Sequence, residues 1–183
     1  MLERWSGIWY NGRENGHEKK SAPPARETVS PAPEKPAGSG AGPGKGANGV
    51  ECYRVLLVDD EEEIRAGISR KIDWDSLGFT LAGEADNGEE ALELAELVRP
   101  DVVLTDIKMP FMDGLELCRR LKRVLPAAKT VVFSGFDDFE YARKAVGMGV
   151  SEYIMKPINA QEMSGVLLRL KDQLDQQQAE RRD

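Results

Sequence analysis

Cysteine and histidine are scarce in this chain, which narrows the kinds of site that it can hold. Its 183 residues include two cysteines and one histidine. Cys52 and Cys118 stand alone, without the spacing of a metal-binding motif, and each lies in an apolar context. We therefore interpret both as buried free thiols of a cytosolic protein, not as a disulfide or as metal ligands.

Long apolar runs are also missing. No segment approaches the roughly 20 apolar residues of a transmembrane helix, and residues 1–20 lack the apolar centre of a signal peptide. Residues 51–183 carry 18 of the 25 Lys and Arg but 27 of the 32 Asp and Glu, a net charge of −9. Nucleic-acid binding depends on basic residues that neutralise phosphates. The composition predicts a cytoplasmic domain that binds neither membranes nor nucleic acid directly.

Residues 1–50 differ in composition from the remainder of the chain. They contain nine of the 18 glycines and six of the 10 prolines. Such a segment cannot bury enough apolar surface to fold, so we predict a disordered N-terminal extension. The folded pattern begins abruptly after Val50. A further hypothesis is that Val50 is a GTG start codon and that residues 1–49 are not native coding sequence.

From residue 53 onward, short apolar strands alternate with helical patterns. The strands are predicted at 53–58, 79–85, 101–105, 129–134 and 151–155, and the helices at 61–72, 89–98, 114–124, 138–149 and from about 160. This (βα)5 order predicts a parallel sheet with helices on both faces. In such sheets, ligands bind at the carboxyl ends of the strands.

Polar side chains stand at the ends of four predicted strands. Asp59 and Asp60 follow the first strand, Asp106 follows the third, Ser134 ends the fourth and Lys156 follows the fifth. Because the strands are parallel, these groups should share one rim of the sheet. Each signal is weak alone, since an acidic pair can simply begin a helix and a strand-end serine is usually structural. Their coincidence on one rim is what predicts a site.

The predicted rim has the chemistry of a phosphoryl-transfer site. Clustered carboxylates repel unless a cation joins them, and oxygen ligands without His or Cys favour Mg²⁺. A carboxylate oxygen of Asp106 can then attack phosphorus and form an acyl phosphate. Lys156 can neutralise the transferred group and Ser134 can donate a hydrogen bond to it.

Four segments together resemble a known family. "VLLVDDEEEIR", "PDVVLTDIKMPFMDGLEL", "TVVFSGFDDFEYA" and "EYIMKPI" resemble the receiver domain of two-component response regulators, over roughly residues 52–172. The resemblance implies a flavodoxin-like (βα)5 doubly wound sheet with strand order 2-1-3-4-5. It places a receiver domain at 51–172, followed by a helical or polar tail or truncated linker at 173–183. "KIDWDSLGF" and "FSGFDDFEYARKA" resemble the subgroup that precedes AraC-type helix-turn-helix outputs.

The resemblance also implies roles for individual residues. Asp106 would be the phosphoacceptor for a sensor histidine kinase. Mg²⁺ would be held by Asp59, Asp60, Asp106 and the backbone carbonyl of Lys108. Lys156 matches the family's lysine, and the Lys156–Pro157 bond matches a cis-proline site.

Signal output is implied in the same way. Ser134 and Tyr153 match the family's switch pair, whose rearrangement changes the face formed by the fourth helix, fifth strand and fifth helix. That face would bind a partner or form a homodimer. Phe136, two residues after Ser134, is predicted to obstruct the attacking water and prolong the life of the acyl phosphate.

No DNA-binding element follows the receiver pattern. The chain is either a truncated transcription regulator or a stand-alone receiver, and we favour a fragment or shortened relative.

Three other functions remain open at this point. A phosphatase of the haloacid-dehalogenase type also uses an Asp nucleophile, Mg²⁺, Ser or Thr and Lys, but its nucleophile follows the first strand. A flavodoxin-like carrier shares the sheet but needs a phosphate-binding loop after strand one. A binding module that never takes phosphate would not need the acidic set. We predict a phosphoacceptor whose only chemistry is its own phosphorylation and dephosphorylation.

Overall fold

The computed structural model describes residues 3–5, 8–10, 44–45, 51–135 and 139–182. The chain divides into two compact units, residues 1–39 and 40–183. In the first unit, Glu3–Trp5 (β1) and Ile8–Tyr10 (β2) pair as antiparallel strands. Most of the N-terminal extension lies outside the described residues, so its disorder stays a prediction.

The second unit is built on a sheet of five parallel strands. The five parallel strands are Glu51–Val58 (β4), Phe79–Ala85 (β5), Val102–Asp106 (β6), Lys129–Ser134 (β7) and Glu152–Met155 (β8), and the short strand Gly44–Lys45 (β3) is added at one side. The parallel strands lie in the order β5-β4-β6-β7-β8, and β3 pairs antiparallel with the first residues of β4. The predicted order 2-1-3-4-5 is therefore confirmed.

Helices connect the strands and cover the sheet. They are Glu62–Lys71 (α1), Trp74–Leu77 (α2), Gly88–Val98 (α3), Gly114–Val124 (α4), Phe139–Gly147 (α5) and Ala160–Arg182 (α6). Several of them begin at side chains that accept backbone N–H groups of the first turn, as α3 and α4 show. Asn87 accepts from Glu89 and Glu90 at the start of α3, and Asp113 accepts from Glu116 at the start of α4.

The alternation of side chains along β4 divides the core into two layers. Val55 and Leu57 face one side, where they pack with Ile68 of α1 and Leu167 of α6. Leu56 and Val58 face the other side and join a cluster with residues of α3 and α4, among them Ala91, Ala95, Leu117 and Leu121. Successive residues of a strand point to opposite faces. The apolar run at 55–58 in this central strand is thus buried on both sides.

Three local features differ from the sequence expectations. The short helix α2 is an addition, begun by Asp73, which accepts from the Ser76 N–H, and ended by Gly78 at a left-handed φ of 81°. Val124, on the last turn of α4, is 45% exposed although the helix is otherwise apolar on its sheet-facing side. The last helix continues to Arg182 as a single helix. Within the part of the chain that the structure describes, no helix is long and apolar enough to cross a membrane.

Candidate functional site

The sheet brings three aspartates together at the carboxyl ends of its central strands. Asp59 and Asp60 follow β4, and Asp106 is the last residue of the adjacent β6. One carboxylate oxygen from each lies within 4.8 Å of the other two. Asp59 and Asp106 are buried, whereas Asp60 is exposed. The cluster is therefore open to solvent on one side.

Lys156 reaches this cluster from the end of β8. Its Nζ lies 3.1 Å from Asp59 Oδ2 and 3.1 Å from Asp106 Oδ1. The exposed carboxylate of Glu61 is 3.6 Å from the same nitrogen. The ammonium group of Lys156 thus contacts two buried carboxylates and lies close to a third, exposed one. The Lys156–Pro157 peptide bond is cis, as the resemblance predicts.

Burial and neighbouring charges shift the pKa values of these groups. Burial raises the pKa of Asp106 to about 6, although Lys156 opposes the change. Burial also raises the pKa of Asp59, against the hydrogen bonds from Glu61 and Lys156. For Lys156, burial favours a lower pKa, but Asp106 and Asp59 outweigh it and the pKa is raised. Burial is therefore the main cause of the raised pKa of both carboxylates, and the lysine offsets it only in part.

Contacts that sequence reasoning missed hold the aspartates in position. The Glu61 N–H donates to Asp59 Oδ1 at 2.9 Å, a turn in which a side chain accepts from the backbone two residues on. Arg65 donates from Nη1 to the backbone oxygen of Asp59 at 2.5 Å. On β6, the buried Thr105 hydroxyl donates to the backbone oxygen of Asp106 at 2.9 Å. The acidic run after β4 could have suggested Glu61, but no local pattern indicates Arg65 or Thr105.

Ser134 lies at the end of β7, next to the strand that carries Asp106. It is 1% exposed. Its hydroxyl is hydrogen bonded to the hydroxyl of Tyr153 on β8, and it also contacts the Gly135 backbone oxygen at 3.3 Å. Tyr153 is half-buried and packs against the cluster that contains Ile107 and Val132. The two predicted switch residues are therefore in direct contact.

Lys108 lies in the loop between Asp106 and α4. Its side chain is exposed, and the residue lines an open cleft of about 410 Å³ together with Asp60 and Tyr141. The predicted role of its backbone carbonyl as a ligand stays a prediction. Phe136, the other residue predicted to influence the phosphoryl lifetime, lies outside the described residues.

The donor set fits a hard divalent cation. All three aspartates offer oxygen, and the exposed Asp60 leaves room for water and for a phosphate ligand. Mg²⁺ is commonly held by one or two carboxylates together with water and phosphate oxygens. A cation here would also offset the cost of burying the charged forms of Asp59 and Asp106.

Comparison with known proteins identifies the fold and the family. The family model described as "Response regulator receiver domain" matches residues 55–167. The chain belongs to the response regulator receiver family. The solved receiver domain of AraT, a response regulator from Geobacillus stearothermophilus, is 41% identical, with a TM-score of 0.66 over 69% of this chain and 98% of that one.

Two further relatives are transcriptional regulators. YesN of Bacillus subtilis, an uncharacterised transcriptional regulatory protein, is 44% identical over 68% of this chain and 34% of its own length. A two-component transcriptional regulator AraC from Clostridium phytofermentans is 35% identical, with a TM-score of 0.65 over 69% of this chain and 98% of that structure. The receiver family and the subgroup with AraC-like outputs are both confirmed. The chain spans about a third of YesN, so the activity of a whole regulator goes beyond this comparison.

Proposed function

We propose that this receiver accepts a phosphoryl group on Asp106 from the phosphohistidine of a sensor kinase. In this proposal the phosphorylated receiver controls transcription through an output region of the AraC type. The observation that carries the proposal is the setting of Asp106. Its buried carboxylate ends a central strand, contacts Lys156 at 3.1 Å and shares a cluster with Asp59 and Asp60.

The transfer uses groups that already face one another. A carboxylate oxygen of Asp106 attacks phosphorus, the P–N bond of the phosphohistidine breaks, and its electron pair returns to the imidazole nitrogen. The products are an acyl phosphate and a neutral histidine on the donor. Lys156 stays beside the acceptor and balances the negative charge of the transferred group. Asp59, held by the Glu61 N–H, keeps Lys156 in place from the opposite side.

A magnesium ion completes this arrangement in the proposal. Asp59, Asp60, Asp106 and the backbone carbonyl of Lys108 would hold it. When bound, Mg²⁺ neutralises the phosphoryl oxygens and helps to position the phosphorus. The chain contributes three oxygen ligands that are already clustered and one side open to solvent. Little reorganisation of the protein is then needed before transfer.

Ser134 and Tyr153 couple the site to the surface in this proposal. An acyl phosphate on Asp106 attracts the Ser134 hydroxyl, which at present is bonded to Tyr153. Loss of that bond frees the ring to move and changes the face formed by α5, β8 and α6. This face carries exposed apolar side chains on each element, namely Val146, Met155 and Leu168. We propose that it binds a partner or a second copy of the chain.

The remaining proposals concern the limits of this function. We propose that the receiver occupies residues 51–172, that 173–183 form a tail or linker, and that the protein is cytoplasmic. We also propose that it performs no multiple-turnover reaction. The phosphatase alternative places its nucleophile after the first strand of the sheet. Here Asp106, the aspartate that contacts Lys156 and lies beside Asp59 and Asp60, is the last residue of the central strand β6.

The test is phosphorylation by a small donor. The purified chain is incubated with acetyl phosphate and Mg²⁺, and its intact mass is measured. Wild type should gain one phosphoryl group, and Asp106→Asn should gain none. Asp101→Asn, which removes a carboxylate at the opposite end of the same strand, is the matched control and should still be phosphorylated. Rapid turnover of a generic phosphomonoester, or equal labelling of Asp106→Asn, would contradict the proposal.

A further inference from the structure

The loop between Asp106 and α4 is tightly constrained. The N–H of Gly114 donates to the Ile107 oxygen at 2.8 Å and closes the loop at its base. A Cβ on Gly114 would lie 2.0 Å from the Asp106 backbone oxygen, so the helix begins in contact with the strand end. Only glycine permits this approach. The end of the loop is therefore held against the strand end beside the acceptor.

Two methionines of this loop are buried and the phenylalanine between them is exposed. Met109 is 9% exposed and Met112 is 5% exposed, and both join the core cluster beneath α3 and α4. Met112 would clash with any side chain larger than hydrogen at Gly88, so it fills its position completely. Phe111 is 94% exposed, the largest value among the exposed large hydrophobic residues that the structure describes.

The backbone of Phe111 is also in an unfavourable region. Its φ is 68°, in the left-handed region that suits glycine and is rare for a bulky side chain. Neither local conformation nor burial thus explains a phenylalanine at this position. Strain of this kind persists where the surrounding structure imposes it, and it concentrates at functional sites. The exposed side chain is therefore available to a partner outside the fold.

The position of Phe111 indicates which partner this is. It lies five residues after Asp106, at most roughly 18 Å of chain away, and the closed loop brings it nearer. Its neighbour Pro110 lines the open cleft whose wall includes Asp60, the exposed member of the acidic cluster. A donor histidine must come within bonding distance of a phosphoryl group at Asp106. The protein surface around that histidine must therefore cover this side of the site.

We propose that Phe111 is a specificity residue for phosphotransfer, an aromatic anchor that inserts into the surface of the donor kinase. This inference rests on the proposed function. Buried aromatic anchors dominate the binding energy of many protein interfaces. Phe111 has no role in the chemistry at Asp106, and it acts only when the phosphoryl donor is a protein.

The experiment compares two donors in Phe111→Gly. The protein donor is the fastest of the autophosphorylated sensor-kinase cores from the organism that encodes this chain, selected with wild type. The small donor is acetyl phosphate. Phe111→Gly should lower kcat/KM for the kinase about tenfold, mainly through KM, and change labelling by acetyl phosphate less than twofold. Its Tm should rise by roughly 2–4 °C because glycine relieves the positive φ.

Two variants serve as controls. Phe111→Tyr keeps the aromatic ring and should retain transfer from the kinase. Leu97→Ala removes another exposed apolar side chain, 74% exposed on α3, and should leave both donors unaffected.

Unchanged kinase transfer in Phe111→Gly, or equal losses with both donors, would overturn the inference while leaving the proposed function intact. So would a wild-type dimer that dissociates in Phe111→Gly, because a second copy would then occupy Phe111. If wild type accepts phosphate from neither donor, the proposed function itself fails.

Discussion

The two ends of the parallel sheet differ in how their charged side chains are paired. At the carboxyl end, one lysine, Lys156, faces Asp59 and Asp106, with Asp60 beside them. At the amino end, Asp101 and Asp175 each have partners of their own. Asp101 accepts the Arg54 N–H at 2.7 Å with the guanidinium of Arg54 at 3.8 Å, and Asp175 accepts from the Tyr53 hydroxyl and from Lys171, each at 2.6 Å.

This difference separates structural contacts from functional ones. The pairs at the amino end connect α6 and the loop before β6 to the start of β4. The carboxyl end has two buried carboxylates and one partly buried lysine, and this excess of one negative charge weakens the fold unless a cation binds. Charge left unbalanced by the fold is available for a ligand. Charged pairs thus stabilise one end of the sheet, and the acidic cluster at the other end can bind a ligand.

Removing the lysine from each end should give the largest contrast. Lys156→Met leaves two buried carboxylates without their partner and should lower the free energy of unfolding by roughly 3 kcal/mol without divalent ions. Lys171→Met breaks an exposed pair on α6 and should lower it by roughly 0.5 kcal/mol. Urea denaturation in the presence of a chelator measures both losses.

Adding Mg²⁺ should reduce the loss in Lys156→Met, since the ion supplies the missing positive charge, and should not affect Lys171→Met. Equal losses in the two variants, or a loss in Lys156→Met that does not change with Mg²⁺, would contradict the difference in charge pairing between the two ends of the sheet.

Magnesium itself should stabilise through the carboxyl end only. At ten times its dissociation constant, an ion that binds the folded state adds roughly 1.4 kcal/mol to the free energy of unfolding. Asp60→Asn should lose most of this gain, since Asp60 is an exposed member of the cluster whose replacement leaves the core intact. Asp101→Asn should keep all of it.

Thermal unfolding with and without Mg²⁺ measures these shifts. A similar Mg²⁺ shift in wild type, Asp60→Asn and Asp101→Asn would mean that the ion acts elsewhere on this acidic protein.

The smallest expected effect is the pH dependence from Asp101. Burial raises its pKa, and the Arg54 N–H and guanidinium only partly oppose this. A carboxyl group with a raised pKa in the folded state stabilises most below its ordinary pKa of about 3.9, and this contribution is lost as pH rises through the folded value. The stability of wild type relative to Asp101→Asn should therefore fall as the pH rises from the ordinary carboxyl pKa through the raised value of the folded state.

Chemical denaturation of the two proteins across this range gives the difference directly, because contributions from all other groups cancel. A difference that increases with pH would mean that the contacts with Arg54 outweigh burial.

Much of the fold was predictable because its signals are local. Apolar runs such as 53–58 and 101–105 mark strands buried on both faces, and the stripe of α6 is periodic. Less regular signals were missed. The helix α2 has only four residues, and its signal is the pair Asp73 and Gly78 at its two ends. Val124 follows the period of α4 but lies on its last turn, beyond the reach of the core.

The main site residues were also predictable, for a topological reason. In a parallel sheet every strand ends at the same rim, so the residue after each strand is known to lie near the others. The supporting contacts follow no such rule. Arg65 reaches a backbone oxygen six residues earlier, and Tyr153 meets Ser134 across neighbouring strands. These pairs depend on side-chain conformations that neither periodicity nor strand order specifies.

The amino-acid order by itself determined that five strands alternate with helices and that carboxylates, a hydroxyl and an ammonium group stand at their ends. These features follow from hydrophobic period and chain direction, which are properties of short segments. Only the tertiary structure decided that one lysine must serve two buried carboxylates, and that packing of Met109 and Met112 turns Phe111 outward. Burial and charge balance depend on neighbours distant in the chain, and these are present only once the sheet has formed.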